Sequence, residues 1–357
     1  MMETHVSRYG KILLAVLVAG ILISIPWVTS NYFVMMSIRV MYFGMLTMSL
    51  SLLAGELGLV SLMQAAFFGI AGYFVAILQS RYGLPFPIPP LVGITVAIIA
   101  AGLFGLLVIR ARGIYFLMLT LVLGQLVWAL ASQWASVTKG DTGIHGVYAP
   151  VIFGISTEKS KTAFYFFQLI VFAGIAYFLT ALKRSPFGLM LRGVRDSETR
   201  MAMLGYPVAL LCYSAFVFAA LVAAVGGVFF AYFTGLINPH SVSLTANVET
   251  LLAAILGGIN ALSGAILGTG ILKTLDVVLS GVTKRYMLFM GIMFLFVIMF
   301  APHGIVGTIR KHWDALVGPA ADWFGFRRER ALAAFLSGQG SSSQSRKRKE
   351  GEEEKED

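Results

Sequence analysis

Long apolar stretches alternate with short polar segments along most of this chain. The stretches are close to the length of about 20 residues that an α-helix needs to cross a hydrocarbon core. Because their apolar residues are continuous instead of alternating with polar ones, the pattern favours helices over a membrane β-barrel. It predicts an all-α fold, a polytopic membrane helical bundle with about ten transmembrane helices. The predicted spans are 12–30, 35–55, 59–79, 91–109, 114–134, 163–182, 207–233, 249–260, 266–282 and 287–302.

Composition supports a membrane location for most of the chain. Of its 357 residues, 58% are hydrophobic and only 12% are charged, and the mean hydropathy is +0.82. A soluble domain of this size could not cover its surface with so few charged groups. The single cysteine, Cys212, lies within an apolar stretch, which excludes an intrachain disulfide and favours a packing role.

The charges predict two domains and an orientation. Residues 1–310 form the transmembrane domain, and residues 311–357 form a cytoplasmic tail that is largely disordered at its end, where a basic run precedes an acidic run. The net charge of +10 comes from Lys and Arg between the apolar stretches and in the tail. The positive-inside rule then places both termini in the cytoplasm, with the tail contributing most of the excess. This orientation requires 249–282 to form two helices, because a single span would put the tail outside.

No pattern of residues indicates catalysis. The five histidines are scattered without metal-ligand spacing, and the chain lacks the G-x-x-x-x-G-K-[ST] phosphate loop. We therefore predict no catalytic residues, no metal and no cofactor. Any energy from ATP has to come from a partner protein.

Two segments rich in small residues, 54–73 and 255–268, predict breaks in the membrane helices. Paired interruptions of this kind in the two halves of a transporter indicate the substrate path. Ordinary close packing of helices through small residues is the alternative. The candidate path residues are Gln64, Phe67, Phe68, Gly257 and Gly258.

The polar loop 183–205 predicts two short amphipathic helices on the cytoplasmic surface. Ser185 followed by Pro186 is typical of a helix start, and Asp196 or Ser197 is suited to cap a second helix that ends before Pro207. The pair of helices suits docking of a soluble partner, while a loop that only fixes topology is the alternative. The candidate coupling residues are Arg192, Arg195, Asp196, Glu198 and Gly205.

Two ionisable residues, Lys273 and Asp276, lie near the middle of a predicted span. Three residues apart on a helix, they share a face and can form an ion pair. Charges at this depth are costly unless they face the protein interior or water. A functional site and a self-neutralising structural pair both remain open.

Four sequence blocks in this order resemble the branched-chain amino-acid ABC transporter permease family, specifically its LivM-like subunit. The resemblance covers about residues 40–307, and its blocks are 54–73, Arg112-Gly113-Ile114-Tyr115-Phe116, 185–195 and 256–268. It implies an all-helical permease in the bacterial inner membrane. The implied partners are a homologous second permease subunit, two cytoplasmic ATPase subunits and an extracytoplasmic solute-binding protein, with loop 183–205 contacting the ATPase.

The chain departs from the family pattern at several positions. Gln64 stands where the family commonly has His, Met63 where it commonly has Gly, and Lys139 interrupts a usual glycine pair. In the coupling loop, Thr199-Arg200 replaces a usual pair of alanines. Urea or amide permeases and aromatic-acid permeases share the same blocks and stay open as alternatives. A stand-alone ion-coupled secondary transporter is the rival of a different class, and the lack of clustered catalytic groups disfavours a membrane enzyme.

The predicted topology can be tested by cysteine labelling. Single cysteines introduced into a Cys212→Ala background should react with an impermeant reagent in intact cells at residues 136–162 and 234–248, which we expect outside. A cysteine at residue 345 should stay unlabelled until the membrane is opened. Labelling of residue 345 from outside would contradict the division of 249–282 into two membrane spans.

Overall fold

The computed structural model describes residues 29–149 and 161–282 almost without interruption. Short pieces at 20, 22–27, 151–152, 155–156, 288, 291–292 and 304 are also described. The predicted spans 12–30 and 287–302 and the predicted tail 311–357 lie largely or wholly outside these residues.

Most described residues form α-helices, which confirms the helical class. The longer helices are α1 Asn31–Leu52, α2 Gln64–Tyr82, α3 Ile88–Val108, α4 Ile114–Gln133, α6 Lys161–Arg184, α9 Val208–Thr234, α10 Leu244–Gly257 and α11 Leu262–Val282. The shorter ones are α5 Ala135–Thr138, α7 Pro186–Asp196 and α8 Glu198–Met203. The strands are β1 Ile144–His145, β2 Val151–Ile152, β3 Ile155–Ser156 and β4 Leu236–Ile237.

Six helices of the described part are long and apolar enough to cross a membrane, counting α1 together with the turn that follows it. The helix α10, at 14 residues, is apolar but shorter. The protein is therefore a multi-pass membrane protein, and the number of about ten spans stays a prediction.

The first predicted helix break lies between α1 and α2. The helix α1 runs into a π-helical turn, Leu53–Leu57, and Gly58 ends it in the left-handed conformation at φ +77°. Helix α2 then begins at Gln64, five residues later than the predicted span 59–79. The reason is local, because the non-helical backbone finds side-chain partners: the Thr120 hydroxyl accepts a hydrogen bond from Leu62 N at 3.2 Å.

The second break separates α10 from α11 and confirms that two helices occupy 249–282. They pack as an antiparallel hairpin, since Gly257 lies against Gly264, Ala253 against Gly268, and Glu249 against Lys273. A Cβ at Gly264 would lie 2.5 Å from the Gly257 carbonyl oxygen. Only glycine allows the two backbones to approach so closely.

The buried core lies where α1, α2 and α9 pack against one another. Phe67 and Phe68 of α2 are fully buried there, and a side chain at Gly227 of α9 would overlap the backbone of Phe68. Strands β1 and β4 pair antiparallel, with Ile144 opposite Ile237, while β2 pairs with β3. The β1–β4 pair fixes the segment that leads into α10.

Replacing Gly257 with Ala should destabilise the protein, because the new methyl group would overlap the Gly264 backbone and force α10 and α11 apart. We expect a loss of about 1–3 kcal/mol, as for other overpacked cores. Gly174→Ala in α6 is the matched control, since no atom lies within 4 Å of its added Cβ. Thermal unfolding in detergent measures both variants. Equal melting temperatures for the two would contradict the close hairpin contact.

Candidate functional site

The two helix breaks, which are distant in sequence, contact each other directly. Ser51 Oγ of α1 donates a hydrogen bond to the carbonyl oxygen of Ile259 at 2.6 Å. A Cβ at Gly55 would lie 2.6 Å from the same oxygen, so glycine is needed there. The segments that the sequence singles out in the two halves therefore meet at their interruptions.

A buried carboxylate lies in the first break. The side chain of Glu56 is only 7% exposed, and its Oε1 lies 2.8 Å from Nζ of Lys183, at the end of α6. Its other oxygen, Oε2, lacks a hydrogen-bond donor among the described residues, and Arg192 Nε of α7 lies 3.7 Å away. A carboxylate removed from water needs such cations, because an unpaired buried charge is strongly destabilising.

Arg195 of α7 bridges the two breaks. Its guanidinium donates to the carbonyl oxygen of Gly55 in the first break and to Asn260 Oδ1 in the second, the latter at 3.0 Å. Lys183 Nζ also donates to the Asn260 carbonyl oxygen at 3.3 Å. We call this set the latch, formed by Glu56, Lys183, Arg192, Arg195 and Asn260.

The two short helices α7 and α8 begin as the sequence predicts. Ser185 Oγ accepts a hydrogen bond from Gly188 N at the start of α7, and Ser197 Oγ accepts from Arg200 N at the start of α8. Asp196 is the exposed last residue of α7, so Ser197 is the cap of the second helix. Glu198 forms an ion pair with Arg112, and thereby ties α8 to the segment before α4.

Three large apolar side chains of segment 185–205 are exposed. Met203 and Leu204 are 81% and 72% exposed, and Leu189 of α7 is 66% exposed. Gly205 follows them in the left-handed conformation at φ +83°. Residues 185–205 thus bind the helix breaks on one side and present apolar side chains on the other.

A second charged cluster lies along the α10–α11 hairpin. Lys273 Nζ is 2.8 Å from Glu249 Oε2 and 3.9 Å from Asp276 Oδ2, so the predicted pair with Asp276 is the longer of two ion pairs. The ammonium also lies 3.8 Å from the centre of the Phe43 ring, within the range of a cation–π interaction. The lysine residue is only 8% exposed.

Next to this cluster is a cavity of about 250 Å³. Helices α1, α2, α9 and α10 and the segment after β4 form its wall, and the lining combines aromatic rings with polar groups. The lining residues are Phe43, Phe68, Phe230, Asn238, His240, Ser241, Thr245, Ala246 and Glu249.

Comparison with known proteins identifies the family of this chain. The family described as branched-chain amino acid transport system / permease component matches residues 32–298 of the chain. The chain belongs to this family. The matched region contains both helix breaks, the latch and the cavity.

Individual relatives agree with the family assignment. The chain is 26% identical over 332 residues to the high-affinity branched-chain amino acid transport system permease protein LivM of Salmonella typhimurium, covering 86% of this chain and 77% of the relative. LivM of Escherichia coli K12 is also 26% identical over 332 residues, covering 85% and 77%. The permease protein LivH of Salmonella typhimurium is 27% identical over 141 residues, covering 39% of this chain and 46% of the relative. No solved structure matches the chain.

The predicted path residues of this permease have different surroundings. Both phenylalanines are buried, but Phe68 borders the cavity, whereas Phe67 does not line it and packs edge-on against Phe216 with ring centres 5.5 Å apart. Gln64 is buried, with Ser49 Oγ 3.4 Å from its Oε1 and no partner among the described residues for its Nε2. Gly257 lies in the hairpin contact, and Gly258 takes a φ of +105° at the break. Their assignment to the path stays a prediction.

The sequence analysis did not assign several residues of these sites. For Glu56 the sequence does contain a signal, since an acid inside an apolar block indicates a paired or functional charge. Asn260 gives none, because its partner Arg195 is 65 residues away and only the fold brings them together. The cavity residues Phe43, Phe230 and Glu249 come from three separate helices.

Replacing Lys183 with Met should leave the buried Glu56 carboxylate with only the longer contact to Arg192. We expect a loss of roughly 3 kcal/mol in the free energy of unfolding, as for other broken buried ion pairs. Thermal unfolding in detergent measures it. Arg184→Met is the matched control, because Arg184 is exposed and forms no ion pair within the described part of the chain.

The double variant Glu56→Gln with Lys183→Met distinguishes the contribution of the ion pair to stability from the contribution of side-chain packing. If the pair is what stabilises the break, removing both charges should recover most of the lost stability. A double variant as unstable as the sum of the two single variants would contradict this interpretation.

Proposed function

We propose that this chain is a permease subunit of an ATP-binding-cassette importer that moves branched-chain or other hydrophobic amino acids across the bacterial inner membrane. The sequence has no nucleotide-binding motif, so ATP hydrolysis belongs to two cytoplasmic ATPase subunits. A homologous second permease and an extracytoplasmic solute-binding protein complete the complex. Both termini are cytoplasmic in this proposal.

The observation that carries the proposal is the two-sided contact of segment 185–205. Its outer face exposes Met203 and Leu204, which are costly to leave in water and suit a protein partner. Its inner face binds both helix breaks through Arg195. A partner that shifts this segment therefore acts on both halves of the membrane domain at once.

Each coupling residue has a part in this proposal. Arg192 and Arg195 connect α7 to the breaks, and Glu198 holds α8 to Arg112. Asp196 is exposed at the junction of the two helices, and Gly205 permits the turn that follows them. ATP binding by the partners would move these helices and switch the permease between inward-open and outward-open states.

The substrate path is proposed to run between the two interrupted segments. Its predicted residues are Gln64, Phe67, Phe68, Gly257 and Gly258, of which Phe68 borders the cavity. The aromatic part of that lining favours a hydrophobic solute over urea or a small amide.

A stand-alone ion-coupled transporter is the second candidate, and the charged cluster of Glu249, Lys273 and Asp276 is the observation that favours it. The two candidates differ in their source of energy. Uptake into vesicles that depends on internal ATP and survives collapse of the proton and sodium gradients supports the importer. Uptake that follows those gradients without ATP supports the rival.

The docking face can be tested with Met203→Asp and Leu204→Asp together. Charges on this exposed apolar face should abolish co-purification of the ATPase subunits while leaving the fold of the permease intact, because neither side chain is buried. If the ATPase subunits still co-purify with this variant, the segment is not their docking site.

The latch should affect coupling separately from docking. Arg195→Glu removes the contacts to both breaks and places an acid near Glu56, so we expect at least a tenfold loss of solute-stimulated ATPase activity with co-purification retained. Arg200→Glu is the control, since Arg200 is exposed and makes no ion pair among the described residues. If solute still stimulates ATPase activity normally in Arg195→Glu, the segment has no coupling role and only determines topology.

A further inference from the structure

Among the described residues that line the cavity next to the α10–α11 hairpin, Glu249 is the one acidic group. Lys273 occupies Oε2 of this carboxylate at 2.8 Å. Among the described residues, no hydrogen-bond donor contacts the other oxygen, Oε1, and the side chain is 36% exposed. The carboxylate is thus fixed in position by one cation and retains one free acceptor.

The local charges leave a place for a second cation. Glu249 and Asp276 share the single ammonium of Lys273, so the three side chains carry one net negative charge. Arg39 forms no ion pair with either carboxylate in the described part of the chain. Of the two carboxylates, Glu249 is the one that borders the cavity, so the net negative charge of the cluster reaches the cavity wall there.

The rest of the cavity suits an apolar group. Phe43, Phe68 and Phe230 form a cluster in which the ring centres lie 5.3 to 6.5 Å apart, and all three rings line the cavity. Its volume of about 250 Å³ is below the roughly 300–1,000 Å³ of pockets for drug-sized ligands, so it suits a smaller solute. Aromatic faces beside a carboxylate also favour an ammonium group.

We propose that this cavity binds a free α-amino acid with an apolar side chain, whose ammonium group donates to Glu249 Oε1 while its side chain packs on Phe43, Phe68 and Phe230. Lys273 acts as a positioning residue that holds Oε2. This inference rests on the proposed function and makes it more specific. Urea and amides lack the cation that Glu249 requires, and acids without an amino group would be repelled by it.

The test uses a single cysteine as a reporter of occupancy. Thr245→Cys is introduced into the Cys212→Ala protein, purified with its partner subunits, and its alkylation rate by N-ethylmaleimide is measured. L-Leucine and 3-methylbutylamine, which both have an ammonium group, should slow the reaction. The same concentrations of 4-methylpentanoate or urea should not. Tyr148→Cys, at a 59% exposed position that does not line the cavity, is the control and should react equally with all of them.

A second comparison isolates Glu249. In the Thr245→Cys background, Glu249→Gln should raise the concentration of leucine needed for half-protection by roughly tenfold or more, as expected for loss of a charged hydrogen bond. Glu249→Asp keeps the charge and should retain part of the protection. The inference is overturned if 4-methylpentanoate protects as well as leucine, if Glu249→Gln has no effect, or if no amino acid protects. The comparison of leucine with 4-methylpentanoate needs no change at Glu249. It therefore tests the inference even if Glu249→Gln fails to fold.

These outcomes are separate from those for the proposed function. ATP-driven uptake of leucine without leucine-dependent protection would overturn this site and leave the importer in place. Protection in a protein whose uptake is independent of ATP would retain the site and overturn the importer.

Discussion

The organisation of the described membrane domain depends on one buried carboxylate, Glu56. It lies in a π-helical turn, where the helix is already interrupted, and its desolvation is offset by Lys183 and Arg192. Those cations belong to the end of α6 and to α7. The ion pairs therefore fix the surface segment against the first break, and Arg195 extends the same arrangement to the second. Hydrogen bonds from Lys183 and Arg195 to the breaks add to this charge compensation.

Sequence patterns predicted the local features of this arrangement. The caps at Ser185 and Ser197 follow from short-range hydrogen bonding, and the glycine-rich blocks do interrupt the helices. The start of α2 was predicted five residues too early, because an apolar stretch does not show that Gly58 and the hydrogen bond from Leu62 N to Thr120 hold the backbone out of a helix. Hydropathy measures the environment of a segment, while these contacts determine its conformation.

Contacts between distant residues could not be predicted in the same way. The sequence pairs Lys273 with Asp276 because they are three residues apart, but the shorter ion pair is with Glu249, 24 residues away. That pairing follows from the register of the α10–α11 hairpin, which the contact of Gly257 with Gly264 sets. The cavity likewise needs three helices in place before Phe43, Phe68 and Phe230 meet.

The hairpin also connects the two charged sites. Asn260 of the latch lies in its turn, and Glu249, which pairs with Lys273 of α11, lies eight residues before the end of α10, about 12 Å along the helix. The glycine contacts pack the two helices backbone to backbone near the turn, and close-packed interiors of this kind transmit displacements. Thr269 Oγ1 donates to Thr47 Oγ1 at 2.8 Å and gives the hairpin a contact with α1 between the two sites. Under the proposed function, a shift of Arg195 that displaces Asn260 therefore moves the hairpin as one body and changes the position of the Glu249 carboxylate at the cavity wall.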